Sequence, residues 1–313
     1  MTESAQRFLS DLIKPENRFA RSTNIEFDYR DPDTTPDYKF TPKALNLLED
    51  VLDTRLGIRR DRAWTIVGPY GSGKSIFCLL ILQLLSGARS SWVERSLAQL
   101  QLTSPDLARR VDEEITSGES AYLPVIVQGS RSSFDRALSQ ALLKTATEAS
   151  TDTSWASERF VQSIELHIES IDAGVTDSRS TVDLFEQAIS LAKLAGYRGL
   201  VIVADEFGKF LERAAWQGDI SELVTSQYLA ELASGSSESE LLFFVVLHQG
   251  LKSYMTSLTE QQGREWAKVQ GRFRAIEFTQ DADNLYDSLV QGMRFSISEI
   301  SLALSLRALG RRL

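Results

Sequence analysis

Five short apolar runs set the fold of this chain: WTIV at 64–67, LPVIVQ at 123–128, GLVIVA at 199–204, LLFFVVL at 241–247 and RAIEF at 274–278. Runs of this length, rich in β-branched and aromatic residues and mostly without strict alternation, read as strands buried on both faces. Helical patterns separate them, which is the arrangement of a parallel sheet covered by helices on two sides. The expected fold is therefore α/β, a three-layer sandwich around a central, mostly parallel sheet of about five strands. In such sheets ligands gather outside the carboxyl ends of the strands. Gly68, Asp205 and His248 are the residues that leave three of the five runs at that end.

Local signals place the helices. Thr41-Pro42 gives an N-cap with proline at the first helical position, Leu45, Leu48, Leu52 and Leu56 follow at helical spacing, and Gly57 ends the segment. A Leu- and Ile-rich helix is expected from Ser75 to about Leu85, and one or two more over 90–118, the second capped by Ser104 with Pro105 behind it. Residues 132–196 are helical with breaks at 151–154 and 172–177. Helices are also expected over 206–216, over 221–233 with Asp219 as cap and Glu222 three residues on, and over 259–268. Residues 1–40, with Pro15, Pro32, Pro36 and the polar run 28–37, read as an irregular N-terminal arm. The division is thus an arm (1–40), a core (41–280) with helical insertions at about 90–118 and 132–196, and a helical C-terminal segment (281–313).

The run ending at Val67 opens into Gly68-Pro69-Tyr70-Gly71-Ser72-Gly73-Lys74-Ser75, with Ile76 next, and satisfies G-x-x-x-x-G-K-[ST] in full. Glycines at this spacing let backbone amides turn inward around phosphates, where side chains would otherwise intrude. Lys74 is then placed to reach the β- and γ-phosphates and Ser75 to put its hydroxyl on Mg²⁺, with the following helix aiming its positive end at the anion. The run 200–204 ends in Asp205-Glu206, two carboxylates on a buried strand. Asp205 is the candidate to hold Mg²⁺ and Glu206 the candidate to polarise an attacking water. Each position also has a plain structural reading. The glycines suit a turn, the carboxylates can cap the next helix, a histidine can sit satisfied at a strand end, and an arginine can flank a strand.

With these motifs in this order, the chain resembles the AAA+ and STAND-type ATPases among the P-loop NTPases of the ASCE division. The resemblance spans roughly residues 40–295 and implies ATP with Mg²⁺ as ligand, hydrolysis to ADP, and a partial helical lid at 281–313. It also implies a polar residue that reads the γ-phosphate after the fourth run, here His248 or Gln249 where the family carries Asn, Ser or Thr. An arginine before the fifth run, here Arg272, implies contact with a neighbouring subunit's nucleotide, hence a homo-oligomer or a larger complex. A further lid arginine has only Arg294, Arg307, Arg311 and Arg312 as candidates. The stretch RAWTIVGPYGSGKS at 62–75 is similar to large ATPases of bacterial anti-phage and restriction-like loci.

Composition narrows the alternatives. A net charge of −9 gives no bulk attraction to nucleic acid, which leaves only a local patch for it. Two histidines and one cysteine leave no dedicated zinc site, and Cys78 as the single cysteine fits a reducing cytoplasm. No leader or membrane-spanning run is evident. Cys78, His167, Trp92, Trp155, Trp216 and Trp266 read as packing residues, and a tryptophan left exposed would suit a partner surface. The competing functions are a STAND-like switch with little turnover, an ABC- or SMC-like ATPase whose LSGGQ-like signature is lacking here, and a small-molecule kinase. Guanine specificity has no N/T-K-x-D string to support it.

Overall fold

The apolar runs become strands because their neighbours bury them on both sides. In the computed structural model, which describes residues 13–15, 23–116, 121–148, 155–217, 221–235, 240–250, 253–254, 268–278 and 293–295, they form one five-stranded sheet. Its strands are β2 (Ala63–Val67), β3 (Tyr122–Gln128), β4 (Gly199–Asp205), β5 (Leu241–Leu247) and β6 (Arg274–Glu277), in the order β3-β4-β5-β2-β6. Every pairing in it is parallel. A separate two-stranded antiparallel ribbon joins β1 (Ile13–Pro15) to β7 (Met293–Phe295).

Alternate residues of each strand serve opposite layers. Trp64, Ile66, Val201, Val203, Leu242, Phe244 and Val246 pack against the helices Pro42–Arg55, Lys74–Leu85, Ser91–Thr103 and Pro105–Thr116. Ala63, Val125, Val127, Leu200, Ile202, Ala204, Phe243 and Val245 pack against Phe134–Glu148, Glu158–Asp172, Ser178–Leu194, Gly208–Gln217 and Ser221–Gly235. The molecule is thus a three-layer α/β fold with an all-parallel central sheet. Trp64 stacked on Phe244, with ring centroids 4.7 Å apart, ties β2 to β5 across the middle of the sheet.

Most helix boundaries follow their caps. Thr41 Oγ1 accepts from Ala44 N at 3.2 Å, and Gly57 takes φ +76°, the left-handed turn that stops the helix. The buried face of that helix is Ala44, Leu47, Leu48, Val51 and Leu52, whereas Leu45 is half-buried and Leu56, the C-cap, is exposed. The expected leucine stripe is therefore turned by about a quarter turn, since at ~3.6 residues per turn the smaller Ala44 and Val51 also face the sheet. Two helices, Ser91–Thr103 and Pro105–Thr116, follow, broken at Ser104.

Two expectations need correction. Residues 23–40 are not an irregular arm. They contain the short helix Ile25–Asp28, capped by Asn24, and a 3₁₀ turn Pro32–Thr34, with Ile25 and Tyr38 buried. Trp92 fixes this segment by donating Nε1–H to Pro36 O (2.9 Å) and its amide to Asp33 Oδ1 (2.7 Å), while Arg95 pairs with Asp37 at 2.8 Å. In the C-terminal segment, residues 293–295 are extended rather than helical because they pair with residues 13–15. The rest of 281–313, the Asp219 cap and residues 259–267 lie outside the described residues. Among the described residues no helix is long and apolar enough to cross a membrane.

Candidate functional site

The chain leaves β2 through the layer holding Lys74–Leu85 and travels to the edge strand β3. It then steps back through β4 and β5 by way of the opposite layer. Connections that depart to opposite faces from neighbouring strands open a crevice at their carboxyl ends. The loop after β2, the acidic end of β4 and the polar ends of β3 and β5 all converge on that crevice.

The 68–73 loop is shaped by its glycines. A Cβ on Gly68 would lie 2.3 Å from Phe278 O, so only glycine fits where the loop passes the end of β6. Gly71 and Gly73 take φ +78° and +85°, conformations that disfavour any side chain. Gly68 N donates to Leu247 O at 3.2 Å and Ser72 N to Pro69 O at 3.3 Å, which anchors the loop at β5 and folds it back on itself. Gly73 is the N-cap of the Lys74–Leu85 helix, and Ile76, half-buried, packs the first turn onto the core. Tyr70 projects from the loop, 77% exposed, with its ring on His248.

Lys74 is buried, and its ammonium donates to Gly68 O (2.6 Å), Pro69 O (2.7 Å) and Ser72 Oγ (3.2 Å). Burial lowers its pKa, opposed by the nearby Asp205 and Cys78. At the next residue, Ser75 Oγ donates to Asp205 Oδ1 at 3.3 Å, which links the loop to the acidic strand end. Asp205 is 2% exposed, and burial raises its pKa to about 6 despite accepting from the Glu206 amide at 2.9 Å and from Ser75. Burial also holds the Cys78 thiol protonated, so this cysteine is a core residue rather than a nucleophile.

Glu206 leaves the strand with φ +51°, the left-handed region that a non-glycine residue enters at a cost of ~1–3 kcal/mol. Its carboxylate accepts from Gln128 Nε2 (2.9 Å) and Lys209 Nζ (2.5 Å). Burial pushes the Glu206 pKa up, but these two donors and the charges of Lys209 and His248 outweigh it and leave it lowered. Gly129 completes the turn: a Cβ there would lie 2.3 Å from Glu206 O. Gln128 and Lys209 were not singled out from the sequence. The register β3 to β4, which sets Gln128 opposite Asp205, and the i,i+3 spacing of Glu206 and Lys209 are the signals that reveal them.

His248 follows β5 at the same end, with Nδ1 enclosed and unpaired among the described residues. Gln249 is exposed. Arg272 is not brought to this crevice. It precedes β6, pairs with Glu231 at 3.1 Å, and stands at the amino end of the sheet, roughly 20 Å from the loop at about 3.3 Å per strand residue. The side chain of Arg294 is outside what is described, as are Arg307, Arg311 and Arg312.

The donor set at Ser75 and Asp205 is a hydroxyl and a carboxylate, hard oxygens that suit Mg²⁺. Among the described residues no three His, Cys, Asp or Glu side chains gather as a metal cluster. A Mg²⁺ held here would therefore keep waters and take further oxygens from a ligand, as Mg²⁺ commonly does beside phosphates. The glycine-shaped loop and the Lys74 ammonium fit the anion such an ion accompanies. No protein-family model matches the chain, and no curated protein matches its sequence.

Proposed function

We propose that this chain binds Mg²⁺–ATP at residues 68–75 and hydrolyses it, as an AAA+-like P-loop ATPase whose turnover drives a conformational change in an oligomer or larger complex. The observation that carries the reading is the Ser75–Asp205 hydrogen bond of 3.3 Å, which joins a glycine-shaped loop to a buried acidic strand end. Lys74 stands on one side of that junction and Glu206 on the other.

In this reading the loop amides and the Lys74 ammonium bind the phosphates. Lys74 exchanges its loop carbonyls for phosphate oxygens, trading neutral acceptors for charged ones that make roughly twice as strong a hydrogen bond. Ser75 and Asp205 orient Mg²⁺, which when bound neutralises charge on the β- and γ-phosphates. Glu206 takes a proton from the attacking water, and His248, with Gln249 beside it, meets the terminal phosphate. Arg272, at the far end of its own sheet, contributes to hydrolysis only in a neighbouring copy's site. A DNA or protein effector, including one in anti-phage defence, acts on top of this chemistry.

Steady-state ATP hydrolysis by wild type and Glu206→Gln, across protein concentration and with and without double-stranded DNA, tests the reading. Activity that the substitution abolishes while ATP binding survives supports it, and a rise in specific activity with concentration supports the shared site. Equal activity in the two proteins contradicts the role given to Glu206.

One observation favours a second reading, a nucleotide-dependent switch with little turnover. The Glu206 carboxylate is already engaged by Lys209 and Gln128, with its pKa lowered, which makes it a weaker base. Wild type that binds ATP but turns over only when Lys209 is removed distinguishes this reading from the first.

A further inference from the structure

Tyr70 is unusual in being both largely exposed and held in place. Its ring lies on the His248 imidazole with centroids 3.7 Å apart and planes 25° from parallel. His248 itself has Nδ1 enclosed and without a partner among the described residues. An unpaired, enclosed polar atom is destabilising. Hydrogen bonding at Nδ1 therefore does not explain why the ring sits this way, whereas a stack is favourable and fixes its plane. With Nδ1 turned inward, Nε2 is the ring nitrogen left to meet an anion. The charged groups acting on the ring are Lys74, Lys209, Glu206 and Glu212, which include the cation of the loop and the carboxylate after β4. Burial, then Lys74 and Lys209, lower the His248 pKa against the pull of Glu206 and Glu212. That shift favours the neutral imidazole, which has one N–H to give.

We propose that Tyr70 is a positioning residue for His248: its ring, carried on the 68–73 loop, holds the imidazole so that Nε2 addresses the terminal phosphate of a nucleoside triphosphate bound there. This rests on the nucleotide reading above and adds a coupling to it. The loop that grips the phosphates also carries the ring that orients the group on β5, so a change in loop backbone on binding moves both together. Tyr70 itself touches no reacting atom. The triphosphate is distinguished from the diphosphate because only the former presents an anion to Nε2.

The test uses the full chain in five forms: wild type, Tyr70→Ala, Tyr70→Phe, His248→Gln and the double variant Tyr70→Ala/His248→Gln. With only two histidines in the chain, histidine ring NMR signals are assigned by the loss of one set in His248→Gln. Without nucleotide, Tyr70→Ala is expected to remove the ring-current shift of the His248 signals, and Tyr70→Phe to keep it. With Mg²⁺–ATP, Tyr70→Ala is expected to lower kcat about tenfold while Mg²⁺–ADP affinity stays within about threefold, the signature of an interaction made late on the reaction path. Tyr70→Phe is expected to restore kcat. The double variant is expected to be no slower than His248→Gln alone, because the two residues act as one unit.

Additive losses in the double variant, or an unchanged kcat in Tyr70→Ala despite the lost ring-current shift, overturn the positioning role while leaving the ATPase intact. Wild type that neither binds nor hydrolyses ATP overturns the nucleotide reading, and this proposal with it.

Discussion

Asp205 carries the sharpest consequence at the residue scale. Its carboxyl titrates near pH 3.9 in an unfolded chain, whereas in the fold burial raises it to about 6. The folded state thus holds the proton more tightly, so the favourable contribution of the neutral acid is present below about pH 4 and is lost as pH rises through about 6. Above that range ionised Asp205 burdens the fold by on the order of 2–3 kcal/mol, at 1.36 kcal/mol per pKa unit. Asp205→Asn is therefore expected to raise the stability of the nucleotide-free protein at pH 8, with the gain shrinking to nothing near pH 4. Urea denaturation at several pH values checks this, and a flat difference across pH contradicts it. The same substitution is expected to abolish Mg²⁺-dependent binding, and Mg²⁺ affinity in wild type to increase as pH rises through about 6. Lys209 gives a second expectation. Its removal frees Glu206 and is expected to raise basal ATP hydrolysis by a few fold, whereas Glu206→Gln abolishes it.

At the scale of elements, the loop after β2 and the turn after β3 are each built around a glycine that another backbone approaches closely. Gly68→Ala puts a Cβ 2.3 Å from Phe278 O, and Gly129→Ala puts one 2.3 Å from Glu206 O. Backbone on both sides leaves nothing flexible to move, so each substitution is expected to cost more than about 2 kcal/mol of stability. Gly71→Ala meets no atom within 4 Å but must hold φ +78°. It is expected to cost only ~1 kcal/mol, the strain of the conformation alone. Denaturant midpoints of the three variants rank the effects. The strands, the loop and the acidic strand end were legible in the sequence because composition and glycine spacing report on them directly. Gln128 was not, since its relation to Glu206 depends on β3 lying beside β4, and strand neighbours are not written in any local pattern. The rotated face of the Pro42–Arg55 helix was missed for a related reason, because Ala44 and Val51 became core residues only once the sheet was beneath them.

For the whole molecule, the segment 23–40 is bound into the layer that carries the Lys74–Leu85 helix. Tyr38 lies 5.7 Å from Phe77 in that helix, and Gln83 donates to Tyr29 O at 2.7 Å. Removing residues 1–40 is thus expected to lower the thermal midpoint markedly and to weaken ATP binding. Proline and charge made this segment read as irregular, and its two buried apolar anchors, Ile25 and Tyr38, are too sparse to form a pattern. The placement of Arg272 is a second matter of the whole molecule: it is distant from its own loop and joined to Glu231, so its effect on hydrolysis is expected only where subunits meet. Arg272→Ala is expected to leave ATP binding unchanged and to remove the concentration-dependent part of the activity.

If residues 68–75 and Asp205 form one site for a triphosphate with Mg²⁺, as proposed, ATP binding depends on Lys74 and its Mg²⁺ dependence on Asp205. Titration calorimetry of ATP into wild type, Lys74→Ala and Asp205→Asn, with and without Mg²⁺, tests it most directly. Wild type is expected to bind ATP more tightly with Mg²⁺, Lys74→Ala to lose at least about tenfold in affinity, and Asp205→Asn to show no Mg²⁺ dependence. Wild type that binds no ATP, or Lys74→Ala that binds as tightly as wild type, contradicts it.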